Sequence, residues 1–229
     1  MTTAPASVIF DLDGTLVDTA PLCAAIINEM LCERGSSKVV DESSARAFLT
    51  NGGAQLISGL LGSDGGQIGA DLARFRTLYS ARRTPSDSLY PGVGKGLRAL
   101  TERGVQLAIC SNKPQSLCDS IVSDLALSDH CPIVVGSLAG VPLKPAPDLA
   151  LIALAKLGAA SEDCLYVGDS EVDRQTAASV GIPFLFVTYG YAEPGAPINA
   201  LARFDHFDQV VHFVLQRQEP SFARRQIAR

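Results

Sequence analysis

Five short apolar runs recur along the chain: Val8 to Phe10, Val105 to Cys110, Ile133 to Val135, Leu165 to Val167 and Phe184 to Val187. They are continuous rather than alternating, the pattern of strands buried on both faces, and helix-like stretches separate the last four. The pattern predicts an α/β fold, a doubly wound and mostly parallel sheet with helices on either face. In such sheets ligands gather beyond the carboxyl ends of the strands.

The interval between the first run and the second is too long for one crossover helix. From about Asp18 to Ser88 the apolar spacing is helical: Leu22, Ile26 and Met30 recur at four, as do Leu56 and Leu60, Ile57 and Leu61, with Leu72, Phe75 and Leu78 or Tyr79 later. Gly52-Gly53 and Ser63-Asp64-Gly65-Gly66 divide this stretch into several helices. It reads as a small helical domain, 18–88, inserted into a core domain made of 1–17 and 89–218, with its two crossings side by side as a hinge. Further helices are expected through Leu97 and Leu100 up to Gly104, after Pro114, from Asp148 to a stop at Gly158, over Glu171 to Val180, and over Asp208 to Gln216. The tail 219–229, with Arg224, Arg225 and Arg229, reads as solvated and disordered.

Composition narrows the class of partner. With 229 residues and 47% hydrophobic content there is ample material for a packed interior, and a net charge of -5 gives no general attraction to nucleic acid or anionic membranes. An anionic substrate therefore needs local cations or a metal. No basic leader precedes a long apolar stretch, and no window reaches the ~18 apolar residues of a membrane span. A soluble cytoplasmic protein, monomer or homodimer, is the expectation. The six cysteines form no C-x-x-C pair, and His130, His206 and His212 adjoin no motif. Neither zinc nor a Cys-His nucleophile is indicated, and the thiols read as small buried hydrophobes of a reduced compartment.

Candidate chemistry sits where the runs end. In an extended chain Asp11 and Asp13 point to one side, and Gly14 lets the backbone turn away. Two like charges so close call for a cation or a proton between them. Ser111-Asn112-Lys113 follows the second run, Lys144-Pro145 lies in a later loop, and Gly168-Asp169-Ser170 follows the fourth. Together these could carry phosphoryl transfer, which requires a nucleophile, a proton donor for the leaving oxygen and positive charge on the phosphoryl oxygens. Asp11 would attack phosphorus and Asp13 would protonate the leaving alcohol and later activate water. Asp169 would join Asp11 in holding Mg²⁺, with Asp173 one helical turn on steadying that site, while Ser111, Asn112 and Lys144 would bind the phosphate. Singly, each has a plainer reading: a capping turn for Ser111-Asn112, a solvated loop lysine for Lys144, an Asp cap for Asp169, and an exposed helix residue for Asp173.

The set Asp11-Leu12-Asp13-Gly14-Thr15, Ser111-Asn112-Lys113, Lys144-Pro145 and Gly168-Asp169-Ser170-Glu171-Val172-Asp173 resembles the four motifs of the haloacid dehalogenase superfamily, over roughly Val8 to Leu215. The second aspartate is a mark of its phosphatases and mutases rather than of the dehalogenases proper. The resemblance implies Mg²⁺ held by Asp11, Asp13 and Asp169 with Ser170 and Asp173 around it, and a helical cap that closes over the site and selects the substrate. Asp18-Thr19-Ala20-Pro21, Asn51-Gly52-Gly53-Ala54, Leu89-Tyr90-Pro91-Gly92-Val93 and Val187-Thr188-Tyr189-Gly190-Tyr191 are similar to the phosphoglycolate phosphatase branch. That likeness implies a small phosphorylated metabolite as substrate, first 2-phosphoglycolate, met by Thr15, Asn51, Gly52 and Gly53. Arg46 or Arg82 would face its carboxylate, or simply a solvated helix face. Sugar-phosphate phosphatases and beta-phosphoglucomutase-like transferases share these carboxylates, and a phospho-signalling module or a catalytically silent regulator is the alternative of another class.

Overall fold

A computed structural model describes residues 7–49 and 52–218. Strand β1 (Ser7–Phe10) pairs in parallel with β2 (Gln106–Pro114) on one side and with β4 (Cys164–Gly168) on the other. β3 (Ile133–Ser137) continues the sheet beyond β2, and β5 (Phe184–Val187) and β6 (Ala202–Phe204) continue it beyond β4, giving the order β3-β2-β1-β4-β5-β6 with every pairing parallel. The apolar runs are unbroken because alternate residues serve different cores. Val8, Phe10, Leu165 and Val167 belong to one buried cluster, while Ile9, Ala108, Cys110 and Tyr166 belong to the other. Two details differ from the sequence expectation. β6 is an additional strand, a short half-buried edge with no apolar run to mark it. β2 runs on through Ser111, Asn112 and Lys113, which read as a loop in the sequence, with an irregular register between Cys110 and Pro114.

Four helices occupy the stretch 18–88 between β1 and β2: α1 (Ala20–Glu33), α2 (Glu42–Leu49), α3 (Gly53–Leu61) and α4 (Ile68–Ser80). Their apolar stripes converge, with Ile26, Ile27 and Met30 of α1, Leu56, Ile57 and Leu60 of α3, and Phe75 and Tyr79 of α4 all buried in one cluster. Each such side chain contributes about 1.5–3 kcal/mol on burial. That cluster runs without a break into Phe10, Leu12 and Leu16 beneath the sheet. The chain's two crossings pair with each other: Asp18 N–H donates to Ser88 O at 2.7 Å, Tyr90 N–H donates to Leu16 O at 3.1 Å, and Val17 and Leu89 bridge antiparallel.

The sheet is flanked by α5 (Val93–Glu102), α6 (Gln115–Asp124), α7 (Asp148–Leu157), α8 (Glu171–Ser179) and α9 (Phe207–Gln218). Local chemistry sets their ends. Pro114 precedes α6, and Ser170 caps α8 by accepting from Asp173 N–H at 3.2 Å. Among the described residues no helix is long and apolar enough to cross a membrane. Asn51 and the tail 219–229 lie outside the described residues.

Candidate active site

β1 delivers Asp11 and Asp13 where the neighbouring strands lead off in opposite directions, the crevice in which a doubly wound sheet binds ligands. Asp11 N–H donates to Val167 O at 2.9 Å, which fixes this end of β1 to β4. Gly14 takes φ +83°, and a Cβ on it would lie 2.2 Å from Asp169 Oδ2, so the turn admits no side chain. Gly190 approaches from the other side, where a Cβ would come within 2.3 Å of Asp169 Cβ. Between these two backbones the Asp169 carboxylate accepts from Thr15 Oγ1 at 3.2 Å and from Tyr191 N–H at 2.6 Å.

Lys144 is the hub of the charged cluster. Its Nζ donates to Asp11 Oδ1 at 2.8 Å, to Asp173 Oδ1 at 2.7 Å and to Cys110 O at 3.0 Å, which uses all three of its protons. Asn112 sets the lysine's backbone from both sides, donating to Lys144 O at 2.9 Å and accepting from Lys144 N–H at 2.7 Å. Asp173 also accepts from Ser170 Oγ at 2.5 Å. Burial works against the Lys144 ammonium, but the carboxylates of Asp11 and Asp173 hold it well above its ordinary range.

Asp11, Asp169 and Asp173 each bring one carboxylate oxygen within 4.8 Å of the others. Three buried carboxylates against one ammonium leave surplus negative charge. Burial and then the neighbouring Asp173 push the Asp11 carboxyl from 3.8 up to about 7, and burial followed by Asp173 and Asp11 raises Asp169 well above the carboxylate range. A compact set of hard oxygen donors with uncompensated charge fits Mg²⁺, which takes a few carboxylates and completes its shell with water and phosphate oxygens.

Asp13 stands in different surroundings. Its Oδ1 accepts from Thr19 Oγ1 at 2.5 Å and lies 3.2 Å from Lys113 Nζ, while Oδ2 has no hydrogen-bond partner among the described residues. Lys113 Nζ also sits 4.8 Å from the centre of the Tyr79 ring, so α4 touches the group that faces Asp13. Burial lowers the Lys113 ammonium, but Asp13 together with Tyr79, Cys23 and Cys118 raises it above its ordinary range, so it stays charged. Two carboxylates in two environments are the usual basis for two chemical roles.

A cavity of about 300 Å³ opens over these groups. Asp11, Asp13, Ser111, Asn112, Lys144, Asp169 and Ser170 all border it, as do Gly52 and Gly53 from the helical segment. Asp173 lies beneath, fully buried, in the carboxylate cluster itself rather than around it. Thr15, which the resemblance places on the substrate, is also fully buried and spends its hydroxyl on Asp169, so it stands behind the cluster and supports it. Arg46 is ion-paired with Asp18 and Arg82 with Glu29, and neither borders the cavity. The sequence reading missed three participants, Lys113, Thr19 and Tyr191. Lys113 carried a signal, since Ser111 and Lys113 alternate onto one face of the strand. Tyr191 did not, because its hydroxyl meets Thr19 N–H at 2.8 Å and Asp18 Oδ1 at 3.0 Å across more than 170 residues of chain. The cysteines stay out of the chemistry: burial pushes the thiols of Cys23, Cys118 and Cys131 up to about 12 and those of Cys110 and Cys164 up to about 11.

A parallel sheet that gathers paired aspartates, a buried lysine and a third carboxylate at its switch point defines a hydrolase class. The model of the haloacid dehalogenase-like hydrolase family matches residues 8–187. The chain is 35% identical over 213 residues to a phosphoglycolate phosphatase of Rhodospirillum rubrum, covering 89% of this chain and 88% of that one. It is 36% identical over 211 residues to a phosphoglycolate phosphatase of Cereibacter sphaeroides, covering 89% and 94%. Its fold matches the crystal structure of a predicted phosphoglycolate phosphatase from Haemophilus somnus with a TM-score of 0.81 at 26% identity, over 93% of this chain and 99% of that one. The chain belongs to the haloacid dehalogenase-like hydrolase family. Within it, the chain is a phosphatase of the branch that these relatives represent.

Proposed function

We propose that the protein is a Mg²⁺-dependent phosphomonoesterase that passes the phosphoryl group through an aspartyl phosphate on Asp11, acting in the cytoplasm on a small phosphorylated acid, first 2-phosphoglycolate. The observation that carries this reading is the segregation of the two aspartates of β1. Asp11 sits against Lys144 and the carboxylate cluster, Asp13 sits against Thr19 and Lys113, and both border one cavity. The relatives' shared name supports the choice of 2-phosphoglycolate, as does a cavity that suits a small ester.

Asp11, Asp169 and Asp173 are the residues that would hold Mg²⁺, which when bound supplies positive charge to the phosphoryl oxygens and offsets the crowding of carboxylates. Asp11 attacks phosphorus and the bond to the leaving alkoxide breaks. Asp13, protonated on Oδ2 while Oδ1 is held, gives that proton to the alkoxide oxygen and the alcohol departs. The Asp13 anion then takes a proton from water. The resulting hydroxide attacks phosphorus, inorganic phosphate leaves and the Asp11 carboxylate is restored. Ser111 offers a donor to the transferring group, Lys144 contributes its fixed positive charge, and the helical segment acts as a cap that excludes bulk water.

The test is phosphate release across a panel of small phosphate esters with Mg²⁺, beside the Asp11→Asn variant. That variant is expected to lose at least ~10⁴-fold in kcat, on the scale seen when a nucleophile is removed. Retained turnover would rule out Asp11 as nucleophile, and a flat profile across the panel would rule out 2-phosphoglycolate. Phosphorus NMR of a sugar phosphate separates hydrolysis from isomer formation, the outcome a mutase would give.

A further inference from the structure

We infer that Arg76 on α4 reads a second anionic group of the substrate, a carboxylate, and so selects short phosphorylated acids over neutral phosphate esters. This rests on the phosphatase reading above and names the residue that sets its substrate class. Of the seven cations of the helical segment five are committed elsewhere, and Arg83 does not border the cavity. Arg34 pairs with Asp71 at 2.6 Å, Arg46 with Asp18, Arg74 with Glu33 and Arg82 with Glu29, while Lys38 Nζ donates to Leu60 O at 2.7 Å. Arg76 makes no hydrogen bond or ion pair with any described residue, and among the segment's cations it is the one that borders the cavity. It lies one turn beyond Leu72, which borders the same cavity, so the two share a face of α4.

The rest of that wall offers an anion little. Leu49, Leu56, Leu72 and Phe75 are apolar, and Gly52, Gly53 and Ala54 at the N-terminus of α3 offer backbone N–H groups but no full charge. On the opposite wall Lys144 already satisfies three acceptors and Lys113 faces Asp13. Four carboxylates, Asp11, Asp13, Asp169 and Asp173, outnumber these two ammonium groups, and one divalent ion would only bring the wall to balance, so it has no charge to spare for a carboxylate. Asp11 and Arg76 border the same cavity, so an ester with its phosphoryl group at Asp11 shares its space with the guanidinium. There the guanidinium fork of Arg76, exposed on α4, matches a carboxylate in a bidentate pair.

The experiment compares kcat/KM for 2-phosphoglycolate with that for 2-hydroxyethyl phosphate, which replaces the carboxylate by a neutral alcohol, in the wild type, Arg76→Ala and Arg76→Lys. The ratio of the two constants is expected to fall about 10- to 100-fold in Arg76→Ala, the loss of one charge-assisted pair, chiefly through KM, with partial recovery in Arg76→Lys. An unchanged ratio, as for a merely solvated arginine, or equal losses on both esters, as for a structural role, overturns the inference. A wild type that turns over both esters without preferring the carboxylate overturns it too and leaves the phosphatase reading standing. Calorimetric binding gives an arm independent of turnover: Arg76→Ala is expected to weaken 3-phosphonopropionate relative to propylphosphonate, and equal weakening of both, or of neither, defeats the assignment even if no ester is hydrolysed.

Discussion

On the sheet side of the cavity nearly every charged group answers another. Lys144 joins Asp11 and Asp173, Lys113 faces Asp13, and Asp169 is held by Thr15 and the backbone of Tyr191. On the helical side the lining is chiefly Leu49, Gly52, Gly53, Leu56, Leu72 and Phe75, with Arg76, which has no ion-pair partner among the described residues. The first wall is rigid because its parts are buried, mutually bonded and anchored on strand ends. It can hold reacting atoms in place at no cost of reorganisation. The second is joined to the rest through the paired crossings at Val17 and Leu89 and through apolar contact, which suits a surface that closes on different substrates. On the proposed reading, chemistry sits on the bonded strand ends and selection on the helical segment.

The sharpest way to break this contrast is Lys144→Met. It leaves Asp11 and Asp173 buried without their cation, and breaking a buried pair from one side costs about 3–5 kcal/mol. Denaturant melts should show that loss, together with phosphate release reduced by about 10³-fold or more. The matching change on the other wall, Arg76→Ala, should alter stability by no more than about 0.5 kcal/mol. Equal stability losses for the two variants would erase the distinction. A smaller effect is expected from Gly190→Ala, whose methyl would collide with Asp169 Cβ. Overpacking of this kind costs about 1–3 kcal/mol, and here it displaces one carboxylate of the cluster proposed to hold Mg²⁺, so Mg²⁺ affinity should fall alongside stability.

The sheet wall also carries a pH signature. Asp11 and Asp169 have carboxyl groups raised above the values they take in the unfolded chain, by burial and by one another's neighbours. Between the ordinary carboxylate range and about 7 the folded, metal-free protein therefore binds more protons than the unfolded chain. Their contribution to stability is full at low pH and is lost as pH rises through that window. Mg²⁺ replaces the proton, so its stabilising effect should grow over the same window, reaching about 2.7 kcal/mol once its concentration is 100 times Kd. Thermal melts with and without Mg²⁺ from pH 4 to pH 8 measure both slopes. A metal-free stability that climbs from pH 5 to pH 7 would contradict the crowding of these carboxylates.

What could be read from the chain follows the same division. The strands of the sheet centre were legible because burial on both faces leaves Val8 to Phe10 and Leu165 to Val167 with no polar interruption. Asp11, Asp13 and Asp169 could be brought to one crevice from the chain because they follow apolar runs, and the ends of such strands are where a doubly wound sheet gathers polar groups. Ser111, by contrast, lies within β2 and Lys144 in the loop after β3. β6 was not, since a three-residue edge that includes the exposed Arg203 carries no periodicity. The helical wall was hardest to read. Arg46, Arg76 and Arg82 look alike in sequence, and what distinguishes them is whether an acid 28 or 53 residues away folds back onto the guanidinium, a fact of tertiary packing.

That last point sets the smallest and most discriminating prediction. Arg82 is partly exposed and paired with Glu29, also partly exposed, and such pairs are worth about 0–1 kcal/mol. Arg82→Ala should therefore lower stability by less than about 1 kcal/mol. It should leave the preference between 2-phosphoglycolate and 2-hydroxyethyl phosphate where it was, because the side chain does not border the cavity. Arg46→Ala differs in one respect. Its partner Asp18 also accepts from Tyr191 Oη, and the Tyr191 backbone holds Asp169, so a link runs from α2 to the metal cluster. Loss of Arg46 should raise the Mg²⁺ concentration needed for half activity by a few fold, while the ratio between the two esters stays fixed. A change of that ratio in Arg46→Ala would mean that this arginine reaches the substrate after all, and the contrast between a committed and an uncommitted cation would fail at its nearest point.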